Sequence, residues 1–465
     1  MSHPSIETTP IPGLLVVYLD VRADARGWFK ENWQREKMVA LGLPDFGPVQ
    51  NNVSFNATRG ATRGIHTEPW DKYVAVATGR AFCAWVDMRE GPTFGATFTI
   101  VLDASVAVFV PRGVGNSYQT LDDAVAYTYL VNQHWRPGLA YPALDLADPT
   151  VAIDWPIPLA EAEISDKDRT NPALGEVTPI PPRSTLVIGA RGQLGRALLA
   201  GLPHAVGVDL PGTGADADLD VTDAAAVADW PWHEHDVVIN AAAYTAVDVA
   251  ETPEGRVAAW AANATAPATL ARVADRHGLT LVHYSSEYVF DGTAREHVED
   301  EPLSPLGVYA QSKAAGELAV GTTERHYLLR TSWLIGAGRN FVATMQQLAA
   351  DGVSPSVVGD QVGRLTFTDE LVRATRHLLE TGAAHGTYHV SNGGEPTSWA
   401  EVARQVFALS GRSPDDVTEV TTEQYAAGRS LAPRPANSVL SLAKLAASGY
   451  DPEDASTALA RYLTR

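Results

Sequence analysis

At Asn171-Pro-Ala-Leu-Gly-Glu-Val-Thr-Pro-Ile-Pro-Pro-Arg183 the texture of this 465-residue chain changes. Ahead of that stretch, short β-branched and aromatic runs such as Tyr73-Val-Ala-Val-Ala, Ala96-Thr-Phe-Thr-Ile-Val-Leu and Val125-Ala-Tyr-Thr-Tyr-Leu-Val alternate with turn residues. Many short strands at such spacing predict an antiparallel sandwich or barrel. Beyond it, apolar strands (Thr185-Leu-Val-Ile, Asp236-Val-Val-Ile-Asn, Thr280-Leu-Val-His-Tyr) alternate with helical stretches at Arg196 to Leu202 and Glu254 to His277. That is the βαβ rhythm of a Rossmann-like, doubly wound parallel sheet. Pro179, Pro181 and Pro182 lack the N–H that a ladder needs and stiffen the chain between the two textures. The boundaries read as an all-β domain over 1–172, a Pro-rich linker over 173–183, and an α/β domain with a small substrate lobe over 184–465.

Composition narrows the functions. Fifty-five acidic against 35 basic residues leave a formal charge of −20. Such a surface argues against nucleic-acid or anionic-membrane partners, which need a basic face. The single cysteine, Cys83, has no disulfide partner and cannot build a thiolate cage, and no metal site is expected. No apolar stretch reaches membrane-spanning length, and the start of the chain has no basic region followed by an apolar one. A cytoplasmic, soluble protein is expected.

In the second half, Gly189-Ala-Arg-Gly192-Gln193-Leu194-Gly195 follows the first strand and opens a helix. Glycines there let the backbone turn tightly and lie against a pyrophosphate, whose charge rests at the helix N-terminus. Asp209 ends the next strand, where an acid hydrogen-bonds a ribose 2′-hydroxyl. Asp220 and the run Asn240-Ala241-Ala242-Ala243 end further strands on the same face. Ser286 closes a later strand, and Tyr309 and Lys313, four apart, share one helix face. In that arrangement Ser286 holds a carbonyl, Tyr309 supplies a proton, and Lys313 lowers the tyrosine pKa while reaching the nicotinamide ribose. Ser398-Trp-Ala-Glu401 reads as a capping box with an architectural role.

These motifs, with His283-Tyr-Ser-Ser-Glu-Tyr-Val-Phe290, Arg330-Thr-Ser-Trp333, Asp360-Gln-Val-Gly and Arg434-Pro-Ala-Asn-Ser, resemble the extended short-chain dehydrogenase/reductases, and within them the dTDP-4-dehydrorhamnose reductases. The resemblance implies that Tyr309, Lys313 and Ser286 are catalytic. It implies cofactor contacts at Gly189, Gly192, Gln193, Leu194, Gly195, Asp209, Asp220, Val221, Ala241, Ala242, Ala243, Tyr284, Tyr309 and Lys313, and sugar contacts at Ser286, Glu287 and Trp333. Glu287 stands where the family carries Asp. Ala197 stands where some members carry a magnesium-binding Glu. The cofactor is NADH or NADPH. Asp209 favours NADH, while Arg191 in the Gly-rich loop is placed to meet a 2′-phosphate.

The first half carries Arg26-Gly-Trp-Phe-Lys-Glu31, Gln50-Asn-Asn52, Arg63-Gly-Ile-His66, Lys72 and Ser165-Asp-Lys-Asp168. A His paired with a carboxylate is a positioned base, and a nearby ammonium stabilises an enolate. With Val110-Pro-Arg-Gly113 and Asp148-Pro-Thr-Val-Ala-Ile-Asp-Trp-Pro156, this half resembles the dTDP-4-dehydrorhamnose 3,5-epimerases, which are cupin-type jelly rolls. The resemblance makes His66 the base, Asp168 its orienting carboxylate and Lys72 the enolate stabiliser. Arg26, Glu31, Gln50, Asn52 and Arg63 would bind the nucleotide. Three departures stand out. Gln133-His134-Trp135 occupies the place of the usual tyrosine pair, so the acid would fall to His134 or be missing. Asn116 replaces a histidine, and Cys83 replaces an aspartate beside the lysine.

Two functions follow from this reading. One is a fused enzyme that epimerises dTDP-4-dehydro-6-deoxy-glucose at C3 and C5 and reduces the C4 ketone to dTDP-L-rhamnose. The other is an active reductase carrying a non-catalytic domain that binds nucleotide sugar or builds the oligomer. A dTDP-sugar partner and a homo-oligomer, a dimer through the first domain, are expected in both.

Overall fold

Strands Ser5–Thr8, Leu15–Tyr18, Val106–Val110, Lys72–Thr78, Val125–Val131 and Gln50–Asn56 lie side by side in that order as one antiparallel sheet. A second sheet runs Ala143–Leu144, Ala61–His66, Val114–Thr120, Ala81–Asp87 and Thr97–Leu102, with Glu163–Ile164 added parallel to Ala61–His66. The computed structural model describes residues 4–134 and 141–464. Side chains of both sheets share one core that includes Val74, Trp85, Val108, Tyr118 and Tyr127. Val106–Val110 is buried throughout rather than alternating, because Met38 of the short Arg35–Ala40 helix, with Leu43 and Phe46, covers the outer side of its sheet at Ala107 and Phe109. A strand covered on both faces needs apolar residues on both.

The chain divides after Pro182 into two compact units. The stretch expected to act as a linker is largely stitched to the first unit. Leu174 is buried and its N–H donates to Asp148 Oδ2 at 2.7 Å. Ile180 exchanges backbone hydrogen bonds with Met88 and Glu90.

The second unit is built on seven parallel strands, ordered Ala217–Asp218, Ala205–Asp209, Ser184–Ile188, His235–Asn240, Thr280–Ser286, His326–Thr331 and Gly386–His389. The order reverses between Ser184–Ile188 and His235–Asn240, which opens a crevice at the carboxyl ends of these strands. The predicted helix from Glu254 to His277 is present but interrupted. Pro253–Trp260 and Ala266–His277 are joined by a π-turn at Ala261–Thr265. Ser398 caps the Trp399–Leu409 helix by accepting from the Glu401 N–H at 3.1 Å. Among the described residues no helix is long and apolar enough to cross a membrane.

Candidate active sites

The Gly-rich turn follows Ser184–Ile188 directly. Gly189 takes a φ of 79°, and a Cβ there would meet the Ala242 backbone at 2.6 Å. A Cβ at Gly195, in the first turn of the Gln193–Gly201 helix, would come 2.1 Å from the Gly189 carbonyl. Both glycines are therefore demanded by backbone packing that exposes the helix N-terminus at Gly192. Asp209 Oδ2 accepts from the Arg191 N–H at 2.7 Å, so the acid expected on the ribose also fixes the loop. Asp220 holds the Thr222 N–H and hydroxyl, Val221 is buried in the core, and Ala241 and Ala242 line the backbone against Gly189. Ala243 is exposed beyond them, as is Arg191, two residues before the half-buried Gln193.

Tyr309 and Lys313 lie on the Val308–Val320 helix. Lys313 is buried and donates to the Tyr284 carbonyl at 2.5 Å. Burial pulls its ammonium down to about 8, with Glu317 opposing. Burial first, then Glu287 and Tyr288, push the Tyr309 hydroxyl well above its ordinary range, with Ser286 opposing. The expected lowering of the tyrosine by Lys313 is therefore not seen in this conformation, where the ammonium is engaged by Tyr284. The Tyr284 side chain, expected at the cofactor, turns into the core and its hydroxyl meets Thr375 Oγ1 at 2.7 Å. It is the backbone carbonyl that serves the site.

Ser286 Oγ donates to Glu287 Oε2 at 2.6 Å and accepts from the Tyr288 N–H at 3.2 Å. Burial pushes the Glu287 carboxyl up to about 7, while Ser286 and the backbone N–H groups of Glu287 and Trp333 pull it back. Trp333 holds a left-handed φ of 44°, rare for a bulky residue, and stacks on Trp399 with ring centroids 3.8 Å apart. Trp399 in turn lines a cavity of about 690 Å³ with Tyr288, Gln361, Tyr425, Pro433 and Arg434. The Asp360-Gln and Arg434-Pro motifs thus meet at this cavity beside Tyr288, and Arg434 is anchored by Asp248 at 2.9 Å. Asn263 escaped the sequence reading. The π-turn buries it, where its amide holds both backbone groups of Tyr244 and donates to Ser312 Oγ on the Val308–Val320 helix at 3.1 Å. Nothing in the sequence marks a π-turn.

In the first unit, His66 Nε2 lies 2.8 Å from Asp168 Oδ1. Burial pushes the Asp168 carboxyl up, but the Gly64 N–H, His66 and Ser165 outweigh it and hold it below its usual range. Lys72, at the start of the Lys72–Thr78 strand, is buried against Glu68. Burial pulls its ammonium down to about 7. Glu68, four residues before the lysine, therefore supplies the carboxylate that was expected at position 83. Cys83 sits in the core opposite Tyr118.

Asn116 is paired with His66 across the second sheet and accepts from the Tyr127 hydroxyl at 3.1 Å. Tyr129, on Val125–Val131, places its ring 5.6 Å from Lys72 Nζ. Burial raises the Tyr129 hydroxyl, with Tyr118 adding and the Arg63 charge from the other sheet opposing. His134 is exposed, and Trp135 lies outside the described residues. Gln50 donates to Asn52 at 2.8 Å, and Arg63 to Asn56 at 3.3 Å. Arg26 and Glu31 are not brought to this group. They pair on the surface with Asp24 and Lys37.

The second unit has the sheet, the glycine turn and the Ser–Tyr–Lys set of a short-chain reductase, and the first a His–Asp dyad with a buried lysine in a β-sandwich. By sequence the chain belongs to the family described as the RmlD substrate binding domain over residues 183–465, and to the dTDP-4-dehydrorhamnose 3,5-epimerase family over residues 8–176. It is 48% identical to an RmlC homolog of Streptococcus pyogenes serotype M6 over 184 residues, 38% of this chain and 92% of that protein. It is 42% identical to a probable dTDP-4,6-dihydroxy-2-methyloxan-3-one 4-ketoreductase of Streptomyces antibioticus, covering 57% of this chain and 90% of that one. Among solved structures it is similar to the dTDP-4-dehydrorhamnose reductase of Bacillus anthracis in complex with NADP. That likeness is 32% identity and a TM-score of 0.55, over 61% of this chain and 99% of the other.

Proposed function

We propose that the chain carries out two successive steps on a dTDP-linked sugar. The first unit, read as a cupin-type jelly roll, epimerises dTDP-4-dehydro-6-deoxy-glucose at C3 and C5. The second reduces the C4 ketone to dTDP-L-rhamnose with a reduced nicotinamide. The observation that carries this is the coexistence of two proton-handling sets, the His66–Asp168 dyad with the buried Lys72 beside Tyr129, and Ser286 with Tyr309. His66 removes the proton next to the ketone and Lys72 stabilises the enolate. Tyr129, rather than His134, is the acid that returns a proton, because it is half-buried beside Lys72 and Arg63 whereas His134 is exposed.

In the reduction, hydride reaches C4 while Ser286 polarises the ketone and Tyr309 protonates its oxygen. The residues present fit a nicotinamide dinucleotide. Gly189, Gly192 and Gly195 clear the backbone for its pyrophosphate and Asp209 faces the ribose, while Lys313 is placed for the nicotinamide ribose. Asp209 supports NADH over NADPH, and equal or better catalytic efficiency with NADPH would show that Arg191 decides instead. The protein acts in the cytoplasm in this reading.

Trp28, Phe29, Val53 and Phe55 are exposed on the Val21–Lys30 hairpin and the Gln50–Asn56 edge strand. Such an apolar edge is consistent with pairing to a second copy, and the dimer would bring Arg26 of that hairpin and Glu31 just after it to a nucleotide site.

The test is incubation with dTDP-4-keto-6-deoxyglucose and NADH or NADPH, with the product identified by NMR. A Tyr309→Phe protein should still exchange solvent deuterium into C3 and C5. No exchange at either carbon would leave the first unit a binding or assembly module.

A further inference from the structure

Ser286 has one hydroxyl hydrogen and two lone pairs. One lone pair is taken by the Tyr288 N–H at 3.2 Å, and Glu287 Oε2 lies 2.6 Å from the same oxygen. The reaction makes a further demand, since Ser286 must donate to the substrate ketone. If Glu287 is a carboxylate it is acceptor-only, holds the single hydrogen, and leaves Ser286 facing the ketone with a lone pair. If Glu287 is protonated it becomes the donor, fills the second lone pair, and frees the hydrogen for the ketone. We propose that Glu287 is a positioning residue for the reduction, whose protonated carboxyl donates to Ser286 Oγ and so commits the Ser286 hydrogen to the ketone. The proposal rests on the reductase reading above and deepens it.

The surroundings suit a neutral carboxyl. Glu287 is 4% exposed. Tyr309 faces it from the catalytic helix, Tyr288 from its own segment, and the Trp333 N–H from the turn after His326–Thr331. The nearby cations are committed elsewhere: Lys313 to the Tyr284 carbonyl and Glu317, and Arg434 to Asp248 and Tyr288. No fixed positive charge is therefore spent on holding Glu287 ionised, and its burial pushes it up to about 7. The atoms balance without moving this proton. Hydride adds to C4, the Tyr309 proton passes to the ketone oxygen, and the Glu287 proton stays on its hydrogen bond to Ser286.

The experiment measures kcat/KM for reduction of the epimerised ketone by NADH between pH 6 and pH 8.5. Wild type should fall by about thirtyfold across that range, the loss of protonated carboxyl for a group titrating at about 7. In Glu287→Gln the amide donates at every pH, so the same ratio should drop below about three whatever the absolute level. Infrared difference spectra of wild type should show a protonated carboxyl C=O stretch that disappears along the same limb and is missing from the variant. A flat wild-type profile, or a Gln variant that keeps the wild-type ratio and differs only by a KM raised equally at all pH values, overturns the proposal. If the variant does not fold, a wild-type infrared band that does not follow the limb also overturns it. Wild type unable to reduce the ketone at any pH would instead sink the reductase reading itself.

Discussion

Tyr309 and Tyr129 are both half-buried phenols raised by burial, each next to a buried lysine, and each is asked to give a proton to a sugar. A raised phenol stays protonated through the neutral range, which suits a donor better than a base. Tyr309→Phe should lower reductive turnover by about two to four orders of magnitude, the usual consequence of losing a positioned acid. Steady-state rates within a few-fold of wild type would reject the assignment. For the first unit, deuterium wash-in and stereochemical inversion should separate. His66→Ala should abolish both. Tyr129→Phe should keep exchange on the base side while inversion drops at least about a hundredfold, and His134→Ala should change neither. Inversion that survives in Tyr129→Phe and fails in His134→Ala would return the acid to the exposed histidine.

At the level of elements, the turn from Ser184–Ile188 into Gln193–Gly201 works because two backbones nearly touch. The Cβ that Gly195→Ala adds would stand 2.1 Å from the Gly189 carbonyl, so the helix N-terminus must tilt away from the strand. Overpacking of this kind costs roughly 1–3 kcal/mol. The variant should melt earlier in its second unit and bind NADH at least about tenfold more weakly, read by calorimetry and by fluorescence titration. Its deuterium exchange at C3 and C5 should be unchanged, since that chemistry belongs to the other unit. The π-turn at Ala261–Thr265 acts similarly at a distance from the ligand. It delivers the Asn263 amide to Ser312, which lies on the same helix as Tyr309 and Lys313.

For the whole molecule, the two-step reading predicts complementation. His66→Ala protein should reduce only a ketone that has already been epimerised, and Tyr309→Phe protein should release one. Mixed in equal amounts, the two should form product after a lag that neither shows alone, followed by NMR. No product from the mixture, with both proteins folded, would mean that the first unit supplies no epimerised substrate. A second test concerns assembly. Phe29→Asp with Phe55→Asp should shift the sedimentation of the full chain toward the monomer, because the two rings are 70% and 64% exposed. An unchanged sedimentation coefficient would exclude that edge as the interface.

Two unlike halves, the parallel sheet and its glycine turn, the Tyr309–Lys313 pair and the His66–Asp168–Lys72 set were all legible in the order of residues. All but the last rest on something local: a period of two or of 3.6, a proline without an N–H, a turn that tolerates only glycine, or a spacing that puts two side chains on one helix face. His66 and Asp168 stand 102 residues apart, and their pairing was implied by the family resemblance. What the order of residues could not decide depends on which distant groups end up adjacent. Glu68, not position 83, faces Lys72, because the chain crosses between sheets just after His66. Tyr284 turns inward because Thr375, on a remote helix, offers its hydroxyl a partner in the core. Tyr129 became the candidate acid only when its strand set it beside Lys72 and Arg63. Asn263 matters through a π-turn that has no sequence signature. Burial is the common physical reason. Desolvation and hydrogen-bond partners set whether a carboxyl such as Glu287 is a base or a donor, and both are properties of the packed molecule rather than of the residue.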